Sequence, residues 1–282
     1  MTLHCLTAGV CDELQQAREC GRDVGRFVCE FSSATLPGLI EYGCARRQFP
    51  ELPVLPMSIV ESELGFANAE VLSDLGLRST GAQKRPSRLI TAQGVEFFVL
   101  EGDQPTLSRD WSEYRLRFEQ SAKASGFPLK TATALAAAFG EMADNAVFHS
   151  ESTVGILVGY QALPGTSLFC IADAGIGVLE SLRSNPEYHN LNDHREAIRL
   201  ALKPGVSRYG RGHGGSGFAQ VFKSLAKHWG TLRFRSGKGC VTMDGRDCNA
   251  DVGVKSEAPF RPGFQVSVCC RTTESPDSEP LI

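Results

Sequence analysis

Hydrophobic positions between residues 106 and 271 follow two periods, and together they predict an α/β fold. Trp111, Tyr114 and Phe118 recur every three or four residues, so they predict a helix with one apolar face. The stretch 131–149 keeps the same helical spacing, with a single glycine as its only breaker. Shorter apolar runs that alternate or end in turn residues predict four strands, at 154–161, 167–173, 231–235 and 264–269.

The stretch 178–211 is interrupted by many helix-breaking residues. Two short helices are predicted at 178–183 and 194–202, and asparagine, proline and glycine residues surround them. Such a composition is typical of a surface segment that moves, so we expect a lid here. Another helix is predicted at 218–228, directly after a cluster of glycines.

The first 105 residues predict a smaller α/β domain. Strands are predicted at 26–31 and 95–100, helices at 34–46 and 66–77, and an extended stretch at 52–60. This alternation resembles the STAS regulatory domains, and the alternative is a plain interaction or dimerisation module. A polar, turn-like stretch at 103–108 places the domain boundary near residue 105, with a second domain at 106–271 and a disordered tail at 272–282.

Composition removes several classes of function. The 282-residue chain is 42% hydrophobic with a formal charge of −3, so nothing indicates nucleic-acid binding. The ten cysteines contain no C-x-x-C pair, which favours reduced, buried thiols over a zinc site. No apolar run approaches the ~18 residues of a membrane span, and no signal-like segment precedes the first domain. We therefore expect a cytoplasmic protein without a membrane partner.

Three polar clusters suggest chemistry on a nucleotide. Glu141 and Asn145 lie one helical turn apart, so a carboxylate and a carboxamide share a face. The amide oxygen suits a magnesium ion that keeps most of its waters, and the carboxylate suits a general base. Asp173 ends a predicted strand and can accept a hydrogen bond from an adenine amino group. The glycines at 210–217 precede a helix whose free N–H groups favour phosphate oxygens.

These clusters, in this order, resemble the GHKL superfamily of ATP-binding domains. Glu141-x-x-x-Asn145 matches the N box, Asp173-x-Gly175-x-Gly177 the G1 box, and the 215–219 stretch the end of the G2 box. The resemblance implies a Bergerat α/β sandwich, with a mixed, mostly antiparallel sheet and helices on one face. It also implies ATP and Mg²⁺ as ligands, Glu141 as the general base and Asn145 as the metal ligand. The implied nucleotide-binding residues are Asp173, Gly175, Gly177, Gly212, Gly214, Gly215 and Gly217, and the positive charge of Arg211 would add to the phosphate side.

The chain departs from that family at two places. His213 stands where the usual pattern has a glycine, and the 263–265 stretch reads Gly-Phe-Gln where many relatives place a threonine. The sequence therefore predicts a GHKL-type regulator that binds Mg-ATP and either hydrolyses it or phosphorylates a partner protein, as the anti-sigma-factor serine kinases do. The alternative is a non-catalytic switch that binds nucleotide and changes partners. A homodimer is compatible with either function.

Overall fold

A computed structural model describes residues 4–56, 59, 89–90, 95–203, 206, 230–244 and 258–272. Its strands are β1 (His4–Leu6), β2 (Phe31–Ala34), β3 (Leu89–Ile90), β4 (Val95–Leu100), β5 (Ile156–Leu163), β6 (Thr166–Asp173), β7 (Thr231–Gly237), β8 (Gly239–Asp244) and β9 (Arg261–Arg271). Its α-helices are α1 (Ala8–Glu19), α2 (Val24–Val28), α3 (Leu36–Gln48), α4 (Arg109–Ala124), α5 (Leu129–His149), α6 (Gly177–Arg183) and α7 (His194–Ala201).

The core of the fold is a seven-stranded sheet in the order β3-β4-β5-β6-β9-β7-β8. Every neighbouring pair in this sheet is antiparallel. Strands β1 and β2 form a separate parallel pair, with α1 and α2 between them in the chain. The molecule thus has the mixed α/β architecture and the mostly antiparallel sheet that the sequence predicts.

Helices α4 and α5 cover one face of the large sheet, which we call the apolar face. Ser108 caps α4 by accepting the N–H of Trp111 at 3.1 Å, which satisfies an otherwise free donor. Trp111, Tyr114 and Phe118, the residues of the predicted stripe, are fully buried, and they pack with Phe139 of α5. Side chains alternate between the two faces along each strand, so β4 to β9 all contribute apolar side chains to this face.

Helices α1 and α3 cover the opposite face, which we call the charged face. Thr7 and Thr35 cap these helices with their hydroxyl oxygens. The hydrophobic core beneath these helices consists of buried side chains from residues 6–59 and from β4, β5, β6 and β9. Arg233 and Arg235 of β7 also point to this face, where they meet carboxylates of α1 and α3.

The predicted strands at 95–100, 154–161, 167–173, 231–235 and 264–269 are confirmed within one to three residues at most ends, as is the long helix ending at residue 149. The predicted strand at 26–31 is wrong. Asp23 accepts the N–H of Gly25 and starts the helix α2, whose Val24 and Val28 are buried one turn apart. Val24 and Val28, four positions apart, are the two residues that this short helix buries. The predicted helix at 66–77 lies outside the described residues.

Hydrogen bonds and packing cross the position near residue 105 where the sequence places a domain boundary. All six residues of β4 are paired with β5, and α3 packs against both β5 and β6. The family resemblance implies helices on one face of the sheet, whereas α1 and α3 occupy the second face here. The division into two domains stays a prediction.

The segment expected to be a mobile lid is packed along its described part. Ile198 and Leu202 belong to the core of the apolar face, and α6 contacts β7 and β9. Leu179, Leu182 and Ala197 form a small core of their own between α6 and α7. Within residues 178–203, the breakers separate short helices that are docked on the sheet.

Candidate functional site

Asp173 lies at the carboxyl end of β6 with 1% of its surface exposed. One carboxylate oxygen, Oδ1, accepts the N–H of Gly175 at 2.8 Å, and the backbone N–H of Phe264 donates to the same carboxylate group. The other oxygen, Oδ2, is buried without a hydrogen-bond partner in the described part of the chain. Burial raises the pKa of Asp173 to about 7, against the opposing effect of the two backbone hydrogen bonds.

Two glycines allow the backbone to close tightly around this carboxylate. A Cβ on Gly175 would lie 1.8 Å from the carbonyl oxygen of Ser150, so only glycine fits at this point of the turn. Gly263 adopts a φ of +75°, and a Cβ there would lie 2.1 Å from the carbonyl oxygen of Asp173. Gly263 comes from β9, which sequence reasoning did not connect with the first two clusters.

The hydroxyl group of Ser236 joins three elements at this site. Its Oγ accepts the N–H of Val178 at 2.9 Å, at the start of α6. The same hydroxyl donates to the carbonyl oxygen of Gly263 at 2.7 Å. Strand β7 therefore fixes both the first turn of α6 and the beginning of β9 beside Asp173.

Helix α5, which carries the predicted N-box residues, ends at this site. Its C-cap residue Ser150 accepts the N–H of Ile176 at 2.7 Å, so the helix ends against the turn after Asp173. Asn145 and Glu141 precede Ser150 by roughly 7 and 13 Å along the helix axis, at 1.5 Å per residue. The side chain of Asn145 is half-buried, and that of Glu141 is exposed.

The glycine cluster lies outside the described residues, so the structure places none of its members. The predicted phosphate-side residues concerned are Arg211, Gly212, Gly214, Gly215 and Gly217. The adenine-side residues and α5 do come together, although 23 positions separate Ser150 from Asp173. The assignment of roles to all these residues stays a prediction.

The sequence marks Gln265 only as part of a departure from the family pattern and predicts no role for it. Gln265 is 3% exposed and holds the backbone of Asp173 in place. Its Nε2 donates to the carbonyl oxygens of Asp173 at 3.1 Å and Pro262 at 2.9 Å. Two carbonyl oxygens around one amide atom fix that atom as nitrogen, because an oxygen there would be repelled. The only available signal was a polar amide within an apolar strand.

No family model, curated protein or solved structure matches the chain. The described residues also contain no group of three or more histidine, cysteine, aspartate or glutamate side chains that could hold a metal ion. A search of the same residues finds no helix that is long and apolar enough to cross a membrane. Function therefore has to be argued from the site itself.

Proposed function

We propose that this chain is a GHKL-type regulator that binds Mg-ATP beside Asp173 and turns it over, by hydrolysis or by transfer to a partner protein. The proposal rests on the buried Oδ2 of Asp173, which has no hydrogen-bond partner among the residues that the structure describes. A buried acceptor without a donor costs about 1–3 kcal/mol, and a ligand amino group would recover that cost. Adenine carries such a group and is small and flat enough to lie against a turn rich in glycine.

The fold supports this proposal in a general way. In a Bergerat sandwich, a mostly antiparallel sheet carries helices on one face. Here α4 and α5 lie on the apolar face, and α5 ends beside Asp173. The proposal assigns the charged face, with α1 and α3, to a regulatory role.

The carboxylate of Asp173 is closed off from solvent in this structure. Binding of a base would therefore require an opening movement that exposes Oδ2. Such a step predicts that the association rate is lower than for a site that is already open, because binding then waits for a conformational change.

Magnesium fits the site only together with phosphate oxygens. Asn145 offers one neutral oxygen, which suits an ion that retains its waters and bridges phosphates. When bound, the ion would neutralise the charge of the phosphates. Glu141 would then take a proton from water or from a partner hydroxyl group.

Calorimetry with ATP and ITP tests the adenine contact, since ITP carries an oxygen in place of the 6-amino group. Asp173→Asn keeps the size of the side chain and presents either an oxygen or an NH₂ group to the base. We expect the substitution to weaken ATP by roughly 10–100-fold, the value of a charge-assisted hydrogen bond, and ITP much less. An equal loss for both nucleotides, or no ATP binding by the wild type, would reject the proposed contact.

The exposure of Glu141 favours a second function, a non-catalytic nucleotide switch. A general base is usually oriented by a neighbouring group, whereas the side chain of Glu141 is exposed. Labelled ATP incubated with wild type and with Glu141→Ala separates the two functions. Asp144→Ala, on the same helix, is the control. Loss of turnover in Glu141→Ala together with normal turnover in Asp144→Ala would support a catalytic role of Glu141. Binding without turnover in all three proteins supports the switch.

A further inference from the structure

Five charged side chains form a cluster on the charged face. Arg233 is bonded to Asp12 of α1 at 2.7 Å and to Glu41 of α3, and Arg235 is bonded to Asp12 at 3.1 Å. Arg261, at the start of β9, is also bonded to Glu41 and lies 3.5 Å from Asp12. The three arginines and Glu41 are 7% exposed or less.

Three cations therefore face two anions, and backbone carbonyl oxygens provide the remaining compensation. Arg235 donates to the carbonyls of Gly237, Gly239 and Pro259, and Arg233 donates to that of Ala8. Buried charges of this kind hold their partners in a narrow range of geometry, because any displacement leaves a charge unpaired. The cluster fixes α1 and α3 on β7 and β9.

One member of the cluster is directly connected to the candidate site. Between Arg261 and Phe264 the pairing of β9 with β7 is irregular: Gly237 pairs with Arg261, and Ser236 pairs with Phe264. Pro262 and Gly263 thus form a bulge, a feature that often occurs next to functional sites. The carboxylate of Glu41 holds Arg261 at one end of this bulge.

The other end of the bulge contacts Asp173 at three points. The N–H of Phe264 donates to the carboxylate group, and the amide of Gln265 donates to the Asp173 carbonyl oxygen. Gly263 lies so close to the same carbonyl that no side chain fits between them. A shift of Arg261 would therefore move the groups that position the carboxylate of Asp173.

We propose that Glu41 is a positioning residue for Asp173, acting through Arg261 and the bulge at 262–263, and that the segment 4–48 thereby regulates ligand affinity at this site. The ligand part of this inference rests on the proposed function. The mechanical part concerns the turn itself and is testable without any ligand.

Amide hydrogen exchange, followed by NMR, measures the mechanical part. The probes are the amides of Gly175, Ile176 and Val178, and amides of α4 serve as the reference. In Glu41→Gln, we expect the exchange rate of the probes to increase by a factor at least about ten times larger than that of the reference. The reason is that the substitution favours local opening of the turn over global unfolding. Arg261→Lys, which keeps the charge but cannot bond in a fork, should act in the same direction and serves if Glu41→Gln does not fold.

Glu96→Gln is the matched control. Glu96 is 1% exposed and is bonded to Arg117 at 2.5 Å, so its loss also disturbs a buried ion pair, but on the apolar face. Arg117 belongs to α4, so we expect Glu96→Gln to accelerate exchange in α4 at least as much as in the turn, and the ratio of turn exchange to α4 exchange should not rise. Equal changes in this ratio for Glu41→Gln and Glu96→Gln would overturn the inference.

ATP affinity, measured by calorimetry on the same proteins, tests the regulatory part. We expect Glu41→Gln to weaken ATP by about 5–100-fold, within the usual range of coupling between sites, and Glu96→Gln to leave it unchanged. If wild type binds no ATP, the proposed function fails while the exchange result still decides the positioning role. Accelerated turn exchange with unchanged ATP affinity would confine Glu41 to a structural role and overturn the regulatory part.

Discussion

The two faces of the sheet are held by different forces. On the apolar face, aromatic rings of α4 and α5 pack against aromatic rings of β4, β5 and β6 at centroid distances of 5.0–5.9 Å. The charged face has a core in which aliphatic residues outnumber aromatic ones, and it also holds three arginines and two carboxylates. Apolar packing is non-directional and tolerates repacking, whereas buried ion pairs demand fixed geometry. The apolar face therefore provides stability, and the charged face provides geometry to the candidate site.

Removal of one aromatic ring should produce the largest effect. Phe139 is fully buried, and its ring centroid lies 5.0 Å from that of Phe169 and 5.3 Å from that of Phe118. We expect Phe139→Ala to lower the free energy of unfolding by about 3–5 kcal/mol in urea titrations, and Phe139→Leu by about 1.5 kcal/mol or less. Similar losses in both variants would show that the apolar face depends less on packing than the structure indicates.

An added methyl group at the bulge tests whether the charged face requires a fixed backbone geometry beside Asp173. Gly263→Ala places a Cβ against the Asp173 carbonyl at a positive φ, while Gly102 has a φ of +90° and open space around it. Gly102→Ala should therefore show the cost of the dihedral angle alone, about 1 kcal/mol, and Gly263→Ala about 2–3 kcal/mol. Urea titrations of the two variants measure the difference, and equal costs would mean that the bulge adapts freely.

Neutralisation of Asp12 tests the charge balance of the cluster. Asp12→Asn leaves Glu41 as the single carboxylate among three arginines, and we expect a loss of about 2 kcal/mol, typical of hydrogen bonds to charged groups. Glu51→Gln is the control: Glu51 pairs at the surface with Arg18 of α1, the helix that carries Asp12, and we expect its substitution to have no measurable effect. Thermal unfolding of both variants gives the comparison, and equal Tm values would contradict it.

The contrast between the faces also explains which parts of the fold the sequence predicts. The spacing of Trp111, Tyr114 and Phe118 is a local pattern that predicts a helix. The elements of the apolar face are predicted from patterns of this kind. Arg233 and Arg235 alternate with apolar residues, which is typical of a strand with one solvated side, so their burial has no local signal. Their partner Glu41 lies 192 positions away from Arg233.

The candidate site divides in the same way. The turn after Asp173 is predicted, because an aspartate followed by two spaced glycines is a local motif. Ser236, Gly263 and Gln265 reach this turn from β7 and β9, and only the tertiary fold shows that they belong to it. The strand predicted at 26–31 fails for the opposite reason, since the cap at Asp23 outweighs a short alternating pattern.

The titration of Asp173 gives the most local test of the comparison. Its folded pKa of about 7 exceeds the ordinary value of 3.8, so between these limits the folded state holds a proton that the unfolded state has lost. Stability should therefore fall as pH rises through this window, with a limiting slope of about 1.4 kcal/mol per pH unit, and level off above pH 7.

Urea titrations from pH 5 to pH 8 measure this slope, and Asp173→Asn should remove it because an amide does not titrate. The Glu41→Gln variant connects the slope with the charged face. If the bulge positions the carboxylate, displacement of Phe264 removes a hydrogen bond that favours the charged form, and the pKa of Asp173 rises further. An identical slope and end point in wild type and Glu41→Gln would show that the charged face holds the helices without controlling the carboxylate.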